Sequence, residues 1–148
     1  MSDLDGCLLA RFAGREPPDW LRRWLDDGLG GVLLFASNIG GPQQLRALAG
    51  ELRSHNPRVL IAADEEGGGV TRLDARTGSS YPGNAAPGAV DDTGLTGRVA
   101  ASIGAMVAEG GVNLTLAPVA LEAAADVLLG GIGYPPDGTG PDAPEVSP

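Results

Sequence analysis

Three carboxylates, three glycines and an arginine form the part of this sequence best suited to chemistry. The run is Asp64-Glu65-Glu66-Gly67-Gly68-Gly69-Val70-Thr71-Arg72, and it follows directly on the apolar stretch 59–62. Glycines let the backbone turn sharply and let a ligand approach closely, and loops after buried strands are where α/β scaffolds place ligand-binding residues. Asp64 and Arg72 on either side of this turn could clamp a polyhydroxylated ligand, because a carboxylate accepts hydrogen bonds and a guanidinium donates them.

The same residues allow two other interpretations, and the sequence alone leaves all three open. The carboxylates could be solvated groups on a surface loop, or they could bind a divalent metal ion. A nucleotide phosphate loop is not expected, because no Lys-Ser or Lys-Thr pair follows the glycines of residues 67–69.

Composition narrows the classes of protein and partner. The chain has 148 residues, which suits one domain with a hydrophobic core. Its net charge of −9 argues against nucleic acid or an anionic membrane as a partner. One cysteine excludes an internal disulfide, and no apolar stretch of about 18 residues predicts a membrane span. The acidic start of the sequence lacks the pattern of a secretory signal, so a cytoplasmic location is expected.

Apolar runs and helical patterns alternate along the chain. Strands are predicted over 7–10, 32–35, 59–62 and 112–116, and helices with N-terminal signals at Asp19, Pro42 and 91–93 lie between them. This order predicts an α/β fold of parallel strands in βαβ units. A closed (β/α)8 barrel has eight strands and about 250 residues, so the chain is expected to form an incomplete barrel. We expect a domain over residues 1–120 and a flexible, Gly/Pro-rich tail over 121–148.

Other conspicuous residues have structural interpretations. Trp20 and Trp24 are four residues apart on a predicted helix and are expected to pack against the sheet. Cys7 is expected to be a small buried residue, and His55, the single histidine, to cap a helix or lie on the surface. Asn113 could point into the barrel or make a structural hydrogen bond.

Several segments resemble the N-terminal domain of glycoside hydrolase family 3, in particular its β-N-acetylhexosaminidase branch. The resemblance covers about residues 7–120. It is carried by five segments in the same order as in the family, which are Gly31-Val32-Leu33-Leu34-Phe35 with Asn38-Ile39, residues 42–45, residues 61–73, Pro82-Gly83-Asn84, and Gly111-Val112-Asn113-Leu114 through Val119. It implies a TIM-type barrel that binds a terminal N-acetylglucosamine at the carboxyl ends of its strands.

The resemblance also implies roles for single residues. Asp64 accepts hydrogen bonds from sugar hydroxyls and Arg72 holds the same sugar, while Glu66 organises the loop by capping backbone N–H groups, together with Gly67 and Gly68. No metal and no cofactor is implied. Asp64 and Glu66 are not expected to be the catalytic pair, because residues two apart on one turn rarely face each other across a substrate at about 5–9 Å.

The sequence departs from the family pattern at several places. Gly69 and Ser37 stand where the family usually carries arginine, and after Val119 only echoes such as Asp126-Val127 remain. The late nucleophilic aspartate and the histidine acid/base of a retaining hexosaminidase have no counterpart, and double displacement needs both groups. The chain is therefore predicted to be a truncated hexosaminidase-like hydrolase, inactive alone, whose ligand is an N-acetylglucosamine-terminated glycan or peptidoglycan fragment. The alternative is a non-catalytic half-barrel that binds sugar or associates with itself through its open edges.

Overall fold

The computed structural model describes residues 4–117 and shows four strands alternating with helices. In chain order, the elements are β1 (Leu9–Ala10), α1 (Asp19–Asp26), β2 (Gly31–Leu34), α2 (Pro42–His55), β3 (Leu60–Ala63), α3 (Ala85–Val90), α4 (Thr93–Glu109) and β4 (Leu114–Thr115). The predicted α/β fold is confirmed. The predicted boundary at residue 120 and the tail over 121–148 lie outside the described residues.

The four strands form one parallel sheet in the order β1-β2-β3-β4. The register pairs Leu9 with Gly31, Gly31 with Leu60, and Ala62 with Leu114. Since every strand runs in the same direction and neighbours in sequence are neighbours in the sheet, all the loops that follow strands emerge at one edge.

The helices cover one face of this sheet. Strand residues of that face, such as Val32 and Ile61, are fully buried and share a single core with helix residues. The helix residues of that core are Leu21, Leu25, Leu45, Leu48, Ala49, Leu52, Ile103 and Val107. Burying these side chains supplies the main driving force for holding the strands and their loops in place.

Charged pairs fix α1 beside α2. Arg22 contacts both Glu51 of α2 and Asp19 of its own helix at 2.8 Å. The hydrogen bond to Glu51, followed by that to Asp19, raises the pKa of the half-buried Arg22 above its usual range. The amino end of α1 differs from the prediction, in which Asp19 was the helix cap. Asp19 is the first residue of the helix, and the residue before it, Pro18, makes no side-chain cap.

The tryptophans do not pack against the sheet, so that prediction is wrong. Trp20 is 36% exposed and Trp24 is 50% exposed, and their rings meet edge to face with centroids 5.3 Å apart. Leu21 and Leu25, which have the same spacing, take the buried face instead. The tryptophans therefore lie on the flank of α1 away from the Arg22–Glu51 contact.

Other local predictions were also incomplete. Cys7 is exposed and ends a short 3-10 turn, so it is not the buried strand residue expected. The short helix α3 was not predicted, because Pro87 and Gly88 within it are poor helix signals. Asn113 makes a structural contact: its side chain accepts from the backbone N–H of Ile61 and donates to the carbonyl of Val59.

Within residues 4–117, none of the helices combines the length and the apolar character needed to cross a membrane.

Candidate functional site

Asp64 and Arg72 meet at the carboxyl edge of the sheet. Asp64 is the first residue after β3, and Nη2 of Arg72 donates to its Oδ2 over 3.0 Å. Both side chains are partly buried, at 24% and 29% exposure. Arg72 Nε is buried and has no hydrogen-bond partner among the described residues. The structure therefore brings the two predicted ligand-binding residues together and leaves a directed N–H donor beside their ion pair.

Glu65 holds the backbone that carries Arg72. Its side chain is fully buried, and Oε2 accepts from the backbone N–H groups of Arg72 and Leu73 at 2.9 and 3.0 Å. The Thr115 hydroxyl of β4 contacts both the N–H and the carbonyl of Glu65, at 3.3 and 3.2 Å. A charged acceptor on two backbone donors is among the stronger hydrogen-bond arrangements, so Glu65 fixes where Arg72 stands.

Glu66 is also buried, and it contacts a side chain further along the chain. It is 8% exposed, and its Oε2 accepts from the side-chain amide of Asn84 over 2.8 Å. The caps on the backbone N–H groups of Arg72 and Leu73 are made by Glu65, and the role of Glu66 as a loop-organising residue stays a prediction. Glu66 therefore connects the acidic loop to the segment that precedes α3, 18 residues further along the chain.

Gly67 and Gly68 let this loop press against the 81–84 segment. Both have positive φ angles, of 84° and 55°, in the region that favours glycine. The N–H of Gly68 donates to the carbonyl of Tyr81 over 2.8 Å. A β-carbon on Gly67 would collide with the carbonyl of Pro82, and one on Gly68 would lie 2.7 Å from the α-carbon of Gly83. This turn thus needs residues without side chains.

Gly67→Ala should destabilise the fold, and Gly69→Ala should not. Alanine at residue 67 would combine a left-handed backbone with the collision at Pro82, and backbone strain of this kind costs about 1–3 kcal/mol. Gly69 is the matched control, because nothing lies within 4 Å of a β-carbon there and its φ is not positive. Urea unfolding of the two variants compares their free energies of unfolding directly. Equal free energies for both variants would contradict this account of the loop.

The carboxylates of the loop turn in three directions. Asp64 faces Arg72, Glu65 faces backbone N–H groups and Glu66 faces Asn84. Within residues 4–117 no set of three or more His, Cys, Asp or Glu residues could hold a metal ion. The burial of Glu65 and Glu66 rules out a loop of three solvated carboxylates.

A cleft lies beside Arg72. It has a volume of about 470 Å³ and lies between the loop after β2, including Gly40 and Gly41, and the loop after β3 from Arg72 to Thr77. This volume falls in the range of small-molecule sites, roughly 300–1,000 Å³. Arg72 lines the cleft and Asp64 does not.

Asn38 shapes the loop after β2 from within. It is fully buried, and its amide donates to the carbonyls of Phe12 and Gly14 while its Oδ1 accepts from the N–H of Phe35. This residue therefore ties the loops after β1 and β2 together. Asn38 belongs to one of the segments that carry the family resemblance, so the sequence did single it out. Its role in connecting these loops was not predicted.

The four strands are parallel and in sequential order, and polar loops gather at their carboxyl ends. This arrangement is part of a (β/α)8 barrel, a class of protein in which ligand-binding residues follow the strands. The chain belongs to glycosyl hydrolase family 3: residues 15–131 match the family model described as the N terminal domain. The resemblance deduced from the sequence is thereby confirmed, and so is the incomplete barrel.

Named relatives support the same assignment. A beta-hexosaminidase of Neisseria meningitidis serogroup C / serotype 2a is 33% identical over 108 residues, which are 66% of this chain and 29% of the relative. A solved family 3 beta-N-acetylglucosaminidase of Paenibacillus sp. superposes with a TM-score of 0.71 at 33% identity, over 78% of this chain and 23% of that one.

A second solved relative carries a sugar analogue. NagZ of Neisseria gonorrhoeae, in complex with N-trifluoroacetyl-D-glucosamine, superposes with a TM-score of 0.67 at 25% identity, over 75% of this chain and 35% of that one. The chain thus spans about a third or less of the length of these relatives.

Proposed function

We propose that Asp64 and Arg72 bind a terminal N-acetylglucosamine residue of a β-linked glycan, as part of a β-N-acetylhexosaminidase-type site. The observation that carries the proposal is their ion pair of 3.0 Å at the carboxyl end of β3. Each sugar hydroxyl can donate to the carboxylate and accept from the guanidinium, so the pair matches the chemistry of neighbouring hydroxyls. The solved relative in complex with a glucosamine analogue supports this choice of ligand.

Binding and turnover are separate expectations for the 148-residue chain. Asp64 and Arg72 are the proposed sugar-binding pair, whereas retention at an anomeric carbon also needs a nucleophile and an acid/base. Neither the late aspartate nor the histidine motif implied by the resemblance has a counterpart in this sequence. We expect this polypeptide to bind N-acetylglucosamine and not to hydrolyse its glycosides.

Calorimetric titration with N-acetylglucosamine and an assay with 4-nitrophenyl N-acetyl-β-glucosaminide test both expectations. The unmodified chain should bind the sugar and release no nitrophenol above background. Asp64→Asn should weaken binding, while Asp27→Asn, the same change at an exposed residue of the α1–β2 connection, should not. Equal affinities of the two variants would contradict the proposed site, and clear turnover by the unmodified chain would contradict the predicted inactivity.

The alternative proposal is a non-catalytic sugar-binding protein that uses the same pair. The two proposals differ once the remainder of a family 3 barrel is supplied as a second polypeptide, because only a hydrolase part should then contribute to turnover. Peptidoglycan fragments as the natural ligand, a cytoplasmic location and a domain over residues 1–120 remain proposals drawn from the sequence.

Self-association is the other part of that alternative. The proposal is supported by the outer edges of β1 and β4, since each of these strands has one neighbour in the sheet within residues 4–117. Unpaired edges of this kind favour pairing with another chain.

A further inference from the structure

The loop that carries Asp64 and Arg72 forms a closed ring of contacts. Asp64 is joined to Glu65 by the chain, and the Glu65 carboxylate accepts from the backbone N–H of Arg72 over 2.9 Å. The Arg72 guanidinium in turn donates to Asp64 over 3.0 Å. Each member of the ring depends on the positions of the other two, so a group outside the loop that holds one of them also affects the ion pair.

Thr115 is a group of this kind. It is the last residue of β4 and pairs in register with Ala63, the last residue of β3. Its hydroxyl accepts from the backbone N–H of Glu65 at 3.3 Å and donates to the Glu65 carbonyl at 3.2 Å. Because Glu65 lies two residues beyond the end of β3, the Thr115 side chain extends the contact between the two strands into the loop.

A hydroxyl suits this place because it can accept one hydrogen bond and donate another. Within residues 4–117, no backbone group pairs with the N–H or the carbonyl of Glu65, so the Thr115 hydroxyl is the partner of both. The branched side chain of threonine also fits a strand. Valine would keep the branched shape and serine would keep the hydroxyl, so these two replacements separate packing from hydrogen bonding.

We propose that Thr115 is a positioning residue for the sugar site and sets the place of Arg72 through Glu65. The Glu65 side chain is fully buried, and its Oε2 accepts from the backbone N–H groups of both Arg72 and Leu73. A shift of the Glu65 backbone would therefore displace the segment that carries the guanidinium. A binding group has to be held close to its productive geometry by the contacts behind it. The inference rests on the proposed function, because it concerns affinity at the same site.

The Arg72 Nε–H signal of the sugar-free chain tests the position of Arg72 without any ligand. Thr115→Val should shift this signal in a nitrogen-15 NMR spectrum, and Thr115→Ser should leave it near its original place. The Nε–H of Arg22, which donates to Glu51 over 2.9 Å, is the internal control and should not move. Thr93→Val makes the same replacement at an exposed threonine that begins α4, and it should move neither signal. An Arg72 signal that Thr115→Val leaves unmoved would overturn the inference.

Calorimetric titration with N-acetylglucosamine tests the effect on affinity. Thr115→Val should lower the affinity per folded molecule about three- to tenfold, which is less than the loss of a charged hydrogen bond would cause. Thr115→Ser should recover most of this loss, and Thr93→Val should bind as the unmodified chain does. The folded fraction of each variant is measured by circular dichroism at the same temperature, so that unfolding is not counted as weaker binding.

Thr115→Ala is a second variant without the hydroxyl, and it should behave as Thr115→Val does. It keeps the test decisive in case the valine variant does not fold. An affinity that falls as far in Thr115→Ser as in the two variants without the hydroxyl would show that the shape of the side chain matters and not the hydroxyl, which would overturn the inference.

The two measurements distinguish a failure of the inference from a failure of the proposed site. If the unmodified chain does not bind N-acetylglucosamine, the proposed function fails, and the Arg72 signal of the sugar-free chain still decides whether Thr115 positions this residue. If the chain binds the sugar and the variants without the hydroxyl bind it as tightly, the proposed site stands and the inference is overturned.

Discussion

Arg72→Ala is expected to lower the affinity for N-acetylglucosamine by about 10- to 100-fold. A hydrogen bond to a charged group contributes about 1.5–3 kcal/mol, and each 1.4 kcal/mol is roughly a factor of ten in affinity. The variant also leaves Asp64 without its partner at the strand end, which adds to the loss. Isothermal titration calorimetry with the free sugar measures the change.

Two further variants show whether the effect belongs to the guanidinium at this position. Arg72→Lys keeps the positive charge but loses the planar fork of donors, so its affinity should fall nearly as far as that of Arg72→Ala. Arg58→Ala removes an exposed arginine before the amino end of the same strand and should leave binding unchanged. A loss of affinity in Arg58→Ala as large as that in Arg72→Ala would mean that net charge and not the site is responsible.

Glu65→Met should be the most destabilising single substitution in the acidic loop. It removes the acceptor of the Arg72 and Leu73 N–H groups in a fully buried place. A buried donor left without a partner costs about 1–3 kcal/mol, so two such donors predict a loss of about 2–6 kcal/mol in the free energy of unfolding. Chemical denaturation followed by circular dichroism gives this quantity.

Glu65→Gln tests whether a neutral oxygen acceptor on a side chain of the same length can replace the carboxylate. Glutamine keeps one carbonyl oxygen of the same reach, so this variant should lose clearly less stability than Glu65→Met. Glu16→Met makes the same replacement at an exposed glutamate and should change stability little. Because Glu65 positions the backbone of Arg72, we expect the affinity for the sugar to fall in the same order as stability, from Glu16→Met through Glu65→Gln to Glu65→Met. Equal affinity in all three variants would show that the contact of Glu65 with the backbone does not position Arg72.

The position of the candidate site in the chain could be predicted from the types of its residues and from their spacing. A short apolar strand before a glycine-rich turn predicted a strand-end loop, and the eight-residue separation of Asp64 and Arg72 is what lets the loop return to its own beginning. The parallel sheet followed from the alternation of apolar runs with helical patterns. Both depend on local patterns that the tertiary structure has no reason to override.

The partners inside the loop could not be predicted in the same way. Glu65 and Glu66 are adjacent carboxylates of equal chemistry, and which of them turns toward the backbone depends on Thr115 and Asn84, which lie 50 and 18 residues away. The tryptophans show a related limit. Trp20 and Trp24 have the same spacing as Leu21 and Leu25, so periodicity could not tell which pair faces the sheet.

The Nε–H signal of Arg72 provides the most direct test of the proposed sugar site. This donor is buried, has no partner among the described residues and lies beside the Asp64 ion pair, so its resonance in a nitrogen-15 NMR spectrum should report a ligand at this place. Titration with N-acetylglucosamine is expected to shift this signal in the unmodified chain, with a saturating dependence on sugar concentration, and to shift it far less in Asp64→Asn. An Arg72 signal that stays unmoved while other signals of the chain respond to the sugar would contradict the assignment of Asp64 and Arg72 as the sugar-binding pair.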